Sequence, residues 1–239
     1  MHMIADKLMQ VEARLQQASQ TSHRSRDEIA LLAVSKTQPA ERLRAAFDAG
    51  QHRFGENYLQ EALDKQRALA DLAIEWHFIG PIQSNKTRPL AESFQWIHSV
   101  DRLKIARRLS EQRPAEQPPI NICLQVNIDA EPSKAGVDVA ALPELAHAVA
   151  ALPNLRLRGL MAIPAPRTDP TAQRQAFARV RALLEQLNRE GLALDTLSMG
   201  MSGDLAAAVA EGATIVRVGT DIFGARAQST MNGGQTGNS

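Results

Sequence analysis

IALLAVSKT, residues 29–37, decides the fold. Six of its first seven residues are apolar or alanine, with no polar alternation. A strand with one wet face would alternate, whereas an unbroken run suits a parallel strand covered on both faces. Pro39 follows where a helix can open, and ERLRAAFDAG carries that helix to Gly50 as its stop.

The unit recurs. Further strands are predicted over 53–57, 74–80, 94–100, 118–128, 155–163, 194–200 and 213–220. Helices are predicted from the second strand to residue 70, over 84–91, over RLKIARRLSEQR behind an Asp101 cap, over 139–151, over 172–190, and from a Ser202 cap to Ala210. Strict strand–helix alternation calls for a parallel sheet. Eight such units in 239 residues call for a closed (β/α)8 TIM barrel, which typically occupies about 250 residues. An open doubly wound sheet would want a glycine fingerprint after its first strand, where this chain reads VSKTQ. Ahead of the barrel, Ile4, Leu8, Val11 and Leu15 recur at helical spacing and predict an extra N-terminal helix over 3–19. One barrel domain over 1–228 is expected, with a Gly/Ser/Asn-rich tail at 229–239 expected to be disordered.

Composition narrows the function. Apolar residues at 44% and charged residues at 22% are globular proportions. Lys and Arg total 27 against 26 for Asp and Glu, so no basic excess exists to gather phosphates of a nucleic acid or a membrane surface. The basic residues Arg102, Lys104, Arg107 and Arg108 read as one solvated helix face. A single cysteine, Cys123, can form neither an internal disulfide nor a zinc site, and reads as a small buried hydrophobe. With charges too early for a signal core and no run of about 20 apolar residues, a cytoplasmic location is expected.

In this barrel, chemistry sits at the C-terminal ends of the strands. Lys36 directly follows LLAVS, so a buried strand delivers an amine to the mouth. Desolvation penalises an ammonium, and a neutral amine can condense with an aldehyde. A solvated lysine that merely ends a strand is the commoner case on position alone. SMGMSGD (198–204) and RVGTDIFG (217–224) follow the last two strands, the usual phosphate site of this barrel. Gly200 and Gly203 let backbone N–H groups approach an anion, Ser202 would cap the next helix, and Gly219 and Thr220 add a backbone donor and a hydroxyl; Ser198 and Met199, at the start of the first motif, are counted with the same binding set. Either motif alone would be a cap and a tight turn; the two together favour a phosphate-bearing ligand. Arg217 lies within an apolar strand, where its charge either snorkels out among the helices or is aimed into the barrel. An amine, a phosphate cradle and an internal arginine suit an aldehyde-bearing phosphate ester. Pyridoxal 5′-phosphate is the obvious candidate, because arginine is one of the partners used for its ring nitrogen. His77 and His98 read as pocket or core residues, and Met161, Met199 and Met201 as packing.

LLAVSKTQP, FGENYLQE, WHFIGPIQSNK, HSVD, the QVNID-to-KAGV stretch, LRGLMAIP, LSMGMSGDLAAAV and VRVGTDIFGAR closely resemble the YggS/PROSC family of pyridoxal phosphate homeostasis proteins, in order from about residue 30 to 226. The resemblance implies an alanine racemase N-terminal-domain-like barrel, with Lys36 holding the cofactor as an internal aldimine. It implies that Ser202, Gly219 and Thr220 bind the phosphate, that Arg217 meets the pyridine nitrogen, and that Asn57, His77 and Met161 line the pocket. Gly203 departs from the family pattern, where a bulkier residue is expected.

The family implies vitamin B6 homeostasis, storage or delivery without established catalysis, and the sequence offers a reason. Racemisation needs bases on both faces of the α-carbon. Racemases of this fold take one from a lysine and the other from a tyrosine of a second, mostly β domain. The one tyrosine here, Tyr58, follows the second strand. Arginine is donor only and favours an unprotonated ring nitrogen, a weaker electron sink. The expectation is a monomeric carrier whose partners are the cofactor and acceptor apoenzymes, with no nucleic acid and no membrane. A weak amino-acid racemase or decarboxylase is the enzymatic alternative, and a Schiff-base aldolase acting on a sugar phosphate is a third reading.

Overall fold

The apolar run at 29–37 contributes a five-residue strand, β1 (Ala30–Val34), to a computed structural model that describes residues 2–225. β1 pairs in parallel with β2 (Arg53–Glu56) on one side and with β8 (Ile215–Val218) on the other. The sheet therefore closes, in the order of the chain, through β3 (Glu75–Phe78), β4 (Trp96–Val100), β5 (Ile120–Gln125), β6 (Leu155–Met161) and β7 (Thr196–Ser198). Around it lie α2 (Ala40–Asp48), α3 (Leu59–Ala68), α4 (Thr87–Ser93), α5 (Leu103–Gln112), α6 (Leu142–Ala150), α7 (Pro170–Arg189), α8 (Leu205–Ala210) and α9 (Thr220–Phe223). This is the (β/α)8 barrel expected, including the added helix α1 (His2–Thr21). The tail at 229–239 and the boundary at 228 lie outside the described residues.

Strand alternation builds two cores. Leu31, Ala33, Phe54, Phe78, Ile97, Ile122, Leu124, Val216 and Val218 face outward into the layer beneath the helices. Leu32, Trp96, Cys123, Met161 and Ile215 point inward and form a separate cluster inside the barrel. Both faces are filled, which is why the strands read as unbroken apolar runs. α1 buries Ile4, Leu8, Val11, Leu15 and Ala18 against α2, α8 and α9, and so covers the seam between the last unit and the first. None of the helices among the described residues is long and apolar enough to cross a membrane.

Two expected caps are corrected. α5 starts behind Arg102, and Asp101 instead accepts a hydrogen bond from the Gly136 N–H at 3.1 Å, tying the loop after β5 to the end of β4. α8 starts behind Asp204, not Ser202. Asp204 Oδ1 takes the Met201 N–H at 2.7 Å and closes a turn that leaves Ser202 at the mouth. In each case an aspartate near a helix start found a loop N–H rather than a helical one.

Candidate functional site

Lys36 stands just beyond β1, half-buried, and makes no ion pair or side-chain hydrogen bond among the described residues. Its neighbour Ser35 turns toward the helix layer, where its Oγ donates to Glu56 Oε1 at 2.8 Å. Continued past the end of β1, the same alternation would aim Lys36 the other way, toward the barrel mouth.

Arg217 resolves the choice left open by the sequence. It is paired in register with Leu32 and lies two residues beyond Ile215, both of the interior cluster. Its side chain is buried inside the barrel and does not snorkel out. Nη1 donates to Ser198 Oγ at 2.8 Å and Nη2 to the Ala162 carbonyl at 3.0 Å. Burial lowers its pKa to about 10, which still leaves a full cation at neutral pH. Among the described residues no carboxylate pairs with it.

From Arg217 a chain of polar side chains descends through the barrel. Ser198 Oγ lies 2.7 Å from His98 Nδ1, His98 Nε2 lies 2.8 Å from His77 Nδ1, and His77 Nε2 lies 2.8 Å from Glu75 Oε1. Glu75 in turn faces Arg53 at 3.4 Å. The tautomers follow from donor bookkeeping. Ser198 accepts from Arg217, so its own proton goes to His98 Nδ1. His98 then donates from Nε2 to His77 Nδ1, and His77 donates from Nε2 to the carboxylate. Every donor points the same way with both rings neutral. Burial lowers the pKa of both histidines, and for His98 the neighbouring His77 ring and the Arg217 cation add to the effect. The hydrogen bond from His77 holds the Glu75 carboxyl below its usual range. His77 also stacks on Trp96, with ring centroids 5.3 Å apart.

The two phosphate-loop candidates come together at the mouth. The backbone N–H groups of Gly200, Ser202, Gly219 and Thr220 have no protein acceptor among the described residues. Gly200 sits at φ 98° and a Cβ there would come within 2.5 Å of Ala208 Cβ, so only glycine lets the chain turn here. A Cβ on Gly219 would stand 3.1 Å from the Val34 carbonyl. Met161 closes the barrel interior below. Met199 is different: its N–H donates to the Ile215 carbonyl at 3.1 Å and its side chain packs in the outer core. Met201 was expected to pack but is 44% exposed. Asn57, after β2, carries a buried Oδ1 with no hydrogen-bond partner. A free amine, an unpaired buried cation, open N–H groups and an orphaned amide oxygen fit a small anionic ligand with polar ring substituents. They fit pyridoxal 5′-phosphate.

Three features escaped the sequence reading. The His77–His98 contact joins residues 21 positions apart, legible only once β3 and β4 are adjacent. The pairing of buried Lys65 with Glu56 at 2.7 Å spans two elements. Cys123, whose thiol burial pushes up to about 12, lies inside the barrel rather than under the helices.

The fold and site together define an alanine racemase-type barrel: the family profile described as alanine racemase, N-terminal domain, matches residues 7–227. Within that class, the chain belongs to the family of pyridoxal phosphate homeostasis proteins. It is 63% identical to the protein of that name from Pseudomonas aeruginosa, over 95% of this chain and 97% of the relative. The Escherichia coli K12 protein of the same name is 53% identical, over 95% and 98%. Among solved structures, PipY of Synechococcus elongatus with pyridoxal phosphate bound superposes with a TM-score of 0.82 at 39% identity, covering 92% of this chain and 100% of that one. Alanine racemase from Corynebacterium glutamicum, at 18% identity and a TM-score of 0.72, shares the fold. The relatives are named for homeostasis of a cofactor and not for a reaction, in keeping with a non-enzymatic role.

Proposed function

We propose that this protein binds pyridoxal 5′-phosphate through a Schiff base to Lys36 and serves its storage and delivery in the cell. The amine nitrogen takes the place of the aldehyde oxygen, which leaves as water. Ser202, Gly219 and Thr220, with the Ser198–Gly200 turn, would hold the phosphate. Met199 contributes only the bend of its backbone to that turn. Arg217 would face the ring nitrogen and Asn57 and Met161 would line the pocket, while His77, below His98 in the interior chain, would act on the cofactor only through His98 and Ser198. The reading extends to a monomer in the cytosol that yields the cofactor to apoenzymes, because imine formation is reversible.

One observation carries this reading: among the described residues Lys36 is unpaired just beyond β1 of the same barrel whose interior buries Arg217 without a paired carboxylate. The cofactor supplies an electrophilic carbonyl, and the chain's own groups bind and orient it. Borohydride reduction of protein incubated with pyridoxal phosphate, followed by peptide mass mapping, tests it. A pyridoxyl group on the Lys36 peptide is expected, and Lys36→Ala should abolish it. A label confined to surface lysines would overturn the proposal.

A further inference from the structure

Lys36 is unpaired, yet the residues on both sides of it are held. The holding group is Lys65 of α3, a lysine with a side chain only 6% exposed. An ammonium has three N–H donors. Those of Lys65 meet three acceptors: the Ser35 carbonyl at 2.7 Å, Glu56 Oε1 at 2.7 Å and Glu61 Oε1 at 2.5 Å. Glu56 Oε1 also takes the Ser35 hydroxyl at 2.8 Å. Glu61 Oε1 also takes the Thr37 N–H at 2.5 Å. Thr37 sits at φ 65°, a left-handed conformation uncommon for a β-branched residue. Such a conformation persists where the surroundings over-determine it.

We infer that Lys65 is a positioning residue for Lys36: through Ser35 and, by way of Glu61, through Thr37, it fixes the backbone on either side of that amine and sets its reach over the mouth. The inference rests on the reading of Lys36 as the covalent anchor. A lysine is suited to the task because one charge centre gathers three acceptors, from the residue after β1, from β2 and from α3, at a point an apolar side chain could not tie together. Glu56 Oε2, buried and without a partner, shows that the cluster's acceptors outnumber its donors. Losing Lys65 would therefore release the stretch rather than let it re-pair in place.

The test compares wild type with Lys65→Met and with Glu61→Ala, the second chosen because Glu61 is partly exposed on the first turn of α3 and its loss spares the buried Lys65–Glu56 pair. Hydrogen exchange at the Thr37 amide of cofactor-free protein should rise at least about tenfold in Glu61→Ala, the scale of one charge-assisted hydrogen bond, and should rise in Lys65→Met as well, because Glu61 there loses the ammonium that holds it. Formation of the imine, followed by absorbance and mapped to Lys36 by borohydride, should slow by about tenfold or more. Binding of pyridoxine 5′-phosphate, which has an alcohol where the aldehyde stands, should stay within about twofold, since the phosphate and ring contacts are untouched. Faster Thr37 exchange with unchanged imine formation would overturn the inference, as would equal losses for both ligands, which mark general loosening. If wild type forms no adduct at Lys36, the functional proposal falls. The Thr37 exchange then decides alone whether the cluster holds the stretch.

Discussion

At Arg217 the physics of one residue decides what the barrel can hold. A guanidinium buried among apolar strands, bonded among the described residues to a hydroxyl and a carbonyl and to no carboxylate, keeps a cation without a direct ion pair. Arg217→Gln keeps a donor and removes the charge. It should weaken pyridoxal phosphate binding by about 1.5–3 kcal/mol, the range for a hydrogen bond to a charged group, read by equilibrium dialysis. An unchanged affinity would remove Arg217 from the site. That Arg217 mattered was legible from a charge inside ATIVRVGT; that it faces inward was not, because strand parity needs the register with Leu32. Ser202 shows the reverse case. Its place at the mouth was legible, but the capping role expected of it is not taken up, because the helix starts two residues later, behind Asp204, whose carboxylate turns back to the Met201 N–H.

β3 and β4 carry the two histidines, and their pairing gives the protein a pH dependence whose sign is fixed. Both folded-state pKa values lie below the free value of 6.5, chiefly because burial disfavours the imidazolium. Below that value the unfolded chain binds protons that the folded chain refuses, so folding weakens as pH falls. Stability from this source is complete above about pH 7 and should drop by up to about 1.4 kcal/mol per pH unit for each histidine as pH descends through 6. Urea unfolding between pH 5 and 8 measures it. His98→Phe should flatten the slope by about half, given one fewer group. A slope of opposite sign would mean that the rings are charged in the native state and the donor sequence drawn here is wrong. At this scale the sequence reading found all eight strands yet ran long, as with the nine residues 29–37 against five in β1. Apolar character persists to the strand's end, while the ladder stops where the chain must turn to build the mouth.

At the scale of the whole molecule, α1 fastens to the barrel the two loops proposed to hold the phosphate. Leu15 is fully buried on that helix, and Arg14 beside it bonds Asp221 at 2.6 Å and the Ser202 carbonyl, one group from each loop. Leu15→Ala should cost roughly 2–5 kcal/mol in urea unfolding, the range for a buried leucine. A cost below 0.5–1 kcal/mol would show that α1 is not part of the cooperative fold, at roughly the level of a surface substitution. The same architecture bears on catalysis. The single tyrosine, Tyr58, precedes α3 and is 49% exposed on the rim after β2. Among the described residues the interior histidines are committed to one another and to Ser198 and Glu75. On the carrier reading, the Lys36 amine and a donor-only arginine capture an aldehyde and release it, whereas racemisation needs a pair of bases flanking an α-carbon. Pyridoxal phosphate-loaded protein given L-alanine in deuterated water should therefore exchange the α-proton no faster than free pyridoxal phosphate at the same concentration. Turnover above that background and lost in Lys36→Ala would make the protein an enzyme and overturn the carrier reading, while leaving the site itself where it stands.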